Sequence, residues 1–134
     1  GSLGVQLKTV EDIMLVGNKI PFVNENLKMK KALEILSKKN LGVLIIQNKQ
    51  KKTIGIITDG QIRRFNQKNY DLHSMSVGEI MTKKPISINK NELAAKALSL
   101  MNNKKVTTLC VHGFKNNMTI GVVHVHNILQ SNIS

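Results

Sequence analysis

The sequence predicts a mixed α/β (α+β) chain built as two β-α-β-β-α units with pseudo-two-fold symmetry, and three observations carry that prediction. Blocks recur in the same order: Val10-Glu11-Asp12-Ile13-Met14 returns as Val77-Gly78-Glu79-Ile80-Met81, and Thr53-Ile54-Gly55-Ile56-Ile57 returns as Thr119-Ile120-Gly121-Val122-Val123. Between them, Ala32-Leu33-Glu34-Ile35-Leu36 returns as Ala97-Leu98-Ser99-Leu100-Met101, so that the offsets are 67, 66 and 65 residues. Nearly constant spacing of three ordered blocks marks an internal duplication. Each copy, of roughly 60 residues, is small for a lone hydrophobic core, and pairing two apolar faces is the physical remedy.

The elements follow from periodicity. The Glu/Asp-Ile-Met segments read as short leading helices, followed by short strands at Ile20–Val23 and Ile86–Ile88. Met29, Ala32, Leu33 and Leu36 lie at i, i+3, i+4 and i+7, as do Ala94, Ala97, Leu98 and Met101, which predicts one buried stripe per helix. Asn26 or Asn24, and Asn91 or Asn89, are the expected N-caps; Lys38-Lys39-Asn40 and Asn102-Asn103-Lys104 supply cations and an αL-tolerant Asn at the ends. β-Branched runs at Val43–Ile46 and Val106–Val111, polar turns at Asn48–Lys52 and Gly113–Asn117, and second runs at Ile54–Ile57 and Ile120–Val123 read as hairpins. Asp59 is the expected cap of a short helix from Gly60 to about Gln67, and His126-Asn127 open its match. The domains so drawn are 10–65 and 77–131, with 66–76 as linker.

Of 134 residues, 20 are Lys or Arg and 8 are Asp or Glu, a net charge of +12. That charge raises nucleic-acid binding, but the cations are lysine pairs scattered over helix ends and loops, with four aromatics and no Trp to stack bases. A solvated face able to attract small phosphorylated ligands or an acidic partner is the better reading. Cys110 is the single cysteine, which excludes a disulfide scaffold and agrees with a reducing compartment. No apolar run approaches a membrane span and no signal region opens the chain, so the cytoplasm is expected, without membrane attachment. Gly1-Ser2 in place of an initiator Met points to a piece of a longer protein.

Several strings carry a resemblance: Ile13-Met14 with Gly17 and Ile20-Pro21; Lys39-Asn40-Leu41-Gly42; Gly55-Ile56-Ile57-Thr58-Asp59-Gly60-Gln61-Ile62-Arg63-Arg64; Asp71-Leu72; and His124-Val125-His126-Asn127-Ile128-Leu129. Over about residues 7–131 the chain resembles a tandem pair of CBS domains, a Bateman module. More narrowly it resembles the C-terminal half of the arabinose-5-phosphate isomerase family, the sugar-phosphate isomerases of Kdo (lipopolysaccharide) and capsule synthesis. The resemblance implies that chemistry belongs to a sugar isomerase (SIS) domain outside this sequence. Independently, no phosphate-cradling Gly-rich loop is present, and none of His73, His112, His124 and His126 adjoins a carboxylate in an acid/base pair. No catalytic residue and no metal site is assigned, and the fragment is expected to be catalytically silent.

The expected ligand is a regulatory nucleotide or nucleotide sugar, held in a cleft between the units. The resemblance places phosphate and ribose at the strand-to-helix junctions, here Thr58-Asp59 and His124–His126, although strand end and helix cap are the plain alternative for these residues. Arg63 and Arg64 are the only arginines, and their planar forks suit phosphate as lysine does not. Ile20, Pro21 and Val43 would line an apolar slot for a base. Where adenosine-phosphate binders of the family carry an Asp for the ribose hydroxyls, this chain has Gln61 and Asn127, which favours CMP-Kdo or CMP over AMP or ATP. Apolar stripes on half-exposed helices imply a homodimer. A purely structural oligomerisation module is the competing reading.

Overall fold

In chain order the secondary structure comprises α1 (Val10–Ile13), β1 (Phe22–Asn24), α2 (Met29–Lys39), β2 (Val43–Gln47), β3 (Thr53–Thr58), α3 (Asp59–Gln67), α4 (Val77–Ile80), β4 (Thr82–Lys83), β5 (Ser87–Asn89), α5 (Ala94–Lys104), β6 (Thr108–His112), β7 (Thr119–His124) and α6 (Val125–Ser131). The computed structural model describes residues 7–115 and 117–131. Gly1-Ser2, and position 116 of the predicted Gly113–Asn117 turn, lie outside the described residues.

The chain divides into two compact units, one continuous from Pro21 to Pro85, the other joining residues up to Ile20 with those from Ile86 onward. Units and repeats therefore differ. Each unit holds the short leading helix that the repeat pattern groups with the other: α4 belongs to the 21–85 unit and α1 to its counterpart. The segment drawn as a linker, 66–76, is part of the 21–85 unit, where α3 runs on to Gln67 and Leu72 is buried in the core. The only two prolines, Pro21 and Pro85, stand at the ends of the continuous unit.

In the 21–85 unit a four-stranded sheet runs in the order β1-β2-β3-β4, with β1 parallel to β2 and the remaining pairs antiparallel. Its core joins Val23, Leu44, Ile46 and Ile57 of the sheet to Met29, Ala32 and Leu36 of α2, with Ile62, Val77 and Ile80. The other unit repeats the plan in three strands, β5-β6-β7, and Leu15 adds a single antiparallel bridge to Val122 on β7. Val10, Ile88, Ala97, Met101, Leu109, Val111, Val123 and Ile128 form its core. The helical stripes fall where the i, i+3, i+7 spacing puts them. Among the described residues no helix is long and apolar enough to cross a membrane.

Two local expectations need correction. The strands begin one or two residues later than the apolar runs suggest, at Phe22, Ser87 and Thr108. The asparagines do not cap the long helices: Asn24 and Asn89 accept the amides of Asn26 and Asn91 in Asx turns at 2.9 Å, and the caps are Lys28 and Leu93. Backbone takes over the capping role. The Met29 amide donates to Met75 O at 2.8 Å and the Ala94 amide to Lys8 O at 2.9 Å, so the segment leading into each short helix satisfies the long one. The short helices carry reciprocal caps of their own, Thr9 N–H donating to Asp12 Oδ2 at 2.8 Å and Ser76 N–H to Glu79 Oε1 at 3.1 Å. At their far ends the long helices reach αL residues, Asn40 as expected but Lys105 in place of an Asn.

Candidate functional site

The β2–β3 register sets Val43 opposite Thr58, and the Asp59 amide donates to Gly42 O at 3.0 Å, so strand β3 passes into α3 without a loop. Thr58, not Asp59, is the N-cap: its Oγ1 accepts the Gln61 amide at 3.3 Å. Asp59, the first residue of the helix, is exposed and turns toward Gly42, where a Cβ would come 2.9 Å from its Oδ2. Gly42 has φ +71°, and glycine meets both demands of that position.

Arg63 and Arg64 follow Gly60 by three and four residues, which puts them on its face, and helical side chains lean toward the N-terminus. Both guanidinium groups reach back over Gly60. A Cβ there would stand 3.4 Å from Arg64 Nη1, 3.6 Å from Arg63 Nη2 and 4.0 Å from Thr58 Oγ1. Two exposed planar cations and a hydroxyl thus converge where the helix dipole is positive, an arrangement that chemically suits a phosphate.

Gln61 is turned elsewhere. It is 9% exposed, its Nε2 donates to Ile80 O, and its Oε1 accepts from Thr82 Oγ1 at 3.3 Å, tying α3 to α4 and β4. Its amide is engaged within the unit. Pro21 and Val43 are buried in the same unit, with Pro21 O accepting the Ile45 amide at 2.9 Å. Ile20, also buried, falls in the other unit.

In that other unit His124, His126 and Asn127 converge on one another. Asn127 Oδ1 accepts the His124 amide at 2.7 Å, and His124 Nδ1 accepts the His126 amide at 3.1 Å. The imidazoles stack with centroids 4.7 Å apart and planes at 26°. An Nδ1 that accepts a hydrogen bond carries no proton, which fixes the neutral Nε2–H tautomer. Burial first, and the His126 ring second, hold the His124 pKa below its ordinary 6.5. Asn127, like Gln61, is engaged by its own unit. No three His, Cys, Asp or Glu side chains converge among the described residues in a way that could hold a metal ion.

Two copies of one mixed α/β unit, each with a hairpin that feeds a short helix, define a tandem module. The profile of the CBS domain matches residues 10–68 and 77–133, and the chain belongs to the CBS domain family as a CBS pair. It is 34% identical over 134 residues to arabinose 5-phosphate isomerase KdsD of Salmonella typhi, covering 99% of this chain and 40% of that protein. It is likewise 34% identical to the uncharacterized protein RP505 of Rickettsia prowazekii, over 100% of this chain and 41% of that one. The chain therefore spans about two-fifths of the length of the curated relatives it matches. Among solved structures, CBSX2 of Arabidopsis thaliana in complex with AMP shares the fold with a TM-score of 0.82 at 21% identity, over 93% of this chain and 96% of that one.

Proposed function

We propose that this chain is the regulatory CBS pair of an arabinose-5-phosphate isomerase and that it reads an anionic nucleotide or nucleotide sugar at the start of α3. The observation that carries the reading is the convergence of Arg63 and Arg64 over Gly60 beside Thr58. The likeness to KdsD supports the parent activity, and the share of KdsD beyond the match leaves room for a separate catalytic domain. On this reading the chain alone converts no ribulose 5-phosphate, works in the cytoplasm, and self-associates as a dimer.

A phosphate between the two guanidiniums would take charge-assisted hydrogen bonds, with Pro21 and Val43 on the apolar side toward a base. The Asp59 amide, donating to Gly42 O at 3.0 Å, joins the Gly42 turn to that start. Because Gln61 and Asn127 are neutral and engaged by their own units, neither offers the carboxylate that an adenosine ribose would take. Cytidine nucleotides carry the same ribose hydroxyls, so the preference for CMP and CMP-Kdo over AMP and ATP rests instead on CMP-Kdo as a nucleotide-sugar end product that would act as a feedback signal on the parent isomerase.

Calorimetry with CMP-Kdo, CMP, AMP and ATP tests the reading. The cytidine ligands should bind most tightly, and Arg63→Ala or Arg64→Ala should weaken binding roughly 10- to 150-fold, the equivalent of about 1.5–3 kcal/mol for a charge-assisted contact. AMP binding best would overturn the cytidine preference. No binding even at millimolar concentration would leave the module a purely structural one.

A further inference from the structure

Both units run from hairpin to helix through the same first hydrogen bond and then part. The Asp59 amide is taken by Gly42 O at 3.0 Å, and the matching Val125 amide by Thr107 O at 2.8 Å. The next amide differs. Gly60 N–H has no hydrogen-bond partner among the described residues, and two guanidiniums lie 3.4 and 3.6 Å from where a Cβ on that residue would stand. Its counterpart, His126 N–H, donates to His124 Nδ1, while the His124 amide is itself taken by Asn127 Oδ1. At the places that match Arg63 and Arg64 the chain has Leu129 and Gln130, neither of them a cation.

An imidazole nitrogen thus occupies, in one unit, the position that an incoming phosphate oxygen would take in the other. The stacked ring of His126 holds that imidazole in place and disfavours its protonation. Resting on the reading of the Gly60 site given above, we propose that the chain reads a single phosphate group, at Gly60, and that neutral His124 is a built-in occupant that closes the matching position at His126. The duplication is in this respect functionally one-sided.

The test is an amide-resolved titration of the ¹⁵N-labelled chain at neutral pH with CMP and, separately, with inorganic pyrophosphate. The Gly60 and Gln61 amides should shift saturably while those of His126 and Asn127 stay in place, and the His124 ring should show an unprotonated Nδ1. In His124→Ala the His126 amide should exchange with solvent about two- to tenfold faster, as the loss of one hydrogen bond requires. Saturable shifts at His126 and Asn127 alongside Gly60 would overturn the closure while keeping the Gly60 site. Silence at both positions would remove the Gly60 site, and closure would then be decided by exchange and tautomer. A protonated Nδ1, or equal exchange in wild type and variant, overturns it even if the variant folds poorly, because the tautomer is read in the wild type.

Discussion

The thioether of Met81 lies directly over Gly55 on strand β3. A Cβ at Gly55 would come 2.6 Å from Met81 Sδ and 2.9 Å from the Thr82 carbonyl oxygen. Gly121 meets Met14 in the same way in the other unit, where a Cβ would come 2.9 Å from Met14 Cγ and 3.1 Å from Leu15 O. The recurring Ile-Met and Gly-Ile/Val strings are thus the two halves of one contact, made once per unit. Gly55→Ala and Gly121→Ala should each destabilise by about 1–3 kcal/mol, since a backbone oxygen as well as a pliable side chain must give way. In urea denaturation, Gly55→Ala combined with Met81→Ala should cost less than the sum of the two. Additivity would contradict the contact.

Gln61 provides a second prediction. Gln61→Leu leaves Ile80 O without its donor in a buried setting and should cost about 1–3 kcal/mol. Gln61→Asp, which restores the carboxylate that adenosine binders of the family carry, removes the same donor and shortens the reach. It should destabilise at least as much without creating a strong AMP site, as thermal melts with and without AMP would show.

Stability should fall on acidification through two kinds of group. His124 has a lowered pKa in the fold, so the unfolded chain takes up that proton first; the stability it contributes is full above 6.5 and is lost as pH falls through the lower folded value. Asp12 and Glu79 are held below their ordinary 3.8 and 4.5 by the amides and hydroxyls of Thr9 and Ser76. Their contribution is present above those values and lost as pH falls through the lower folded ones. Urea midpoints from pH 8 to 3 should show both declines, and His124→Asn should abolish the upper one alone.

Cys110 should be inert in the native protein. It is 4% exposed on β6, and burial pushes its thiol up to about 11, so almost none is thiolate near neutrality. A thiol reagent at pH 8 should react at the rate of unfolding, and stoichiometric labelling within seconds without denaturant would contradict this.

The buried stripes, hairpins and short helices were legible because each is written in local spacing, such as Met29, Ala32 and Leu36 or the β-branched run at Val43. The grouping of α1 and α4 was not. A duplication makes both pairings equivalent at the level of sequence, since Met14 could meet Gly55 as well as Gly121 with the same residue types. The long-helix caps are not legible in the sequence, because Asn24 and Asn89 close turns four residues early while the capping bonds run to the carbonyls of Met75 and Lys8, far away in sequence. At the site, Arg63 and Arg64 stood out as the only arginines. The role of Gln61 depends on where Ile80 O lies, and that of His124 on a ring nitrogen aimed at an amide two residues on. The reciprocal caps, Thr9 with Asp12 and Ser76 with Glu79, carry a readable Ser/Thr-x-x-acid signal.

The 21–85 unit is nested in sequence within the other, and this orders the events of synthesis. A chain leaving the ribosome N-terminus first has every residue of the nested unit once Pro85 emerges. Helix α1, made before any element of the nested unit, has no Gly121 to receive Met14 and no Val122 to bridge Leu15 until strand β7 has been translated. Helix α1 is made before the nested unit yet finds its place after it, and a nascent chain stalled after Pro85 would present a finished unit with α1 still waiting for β7.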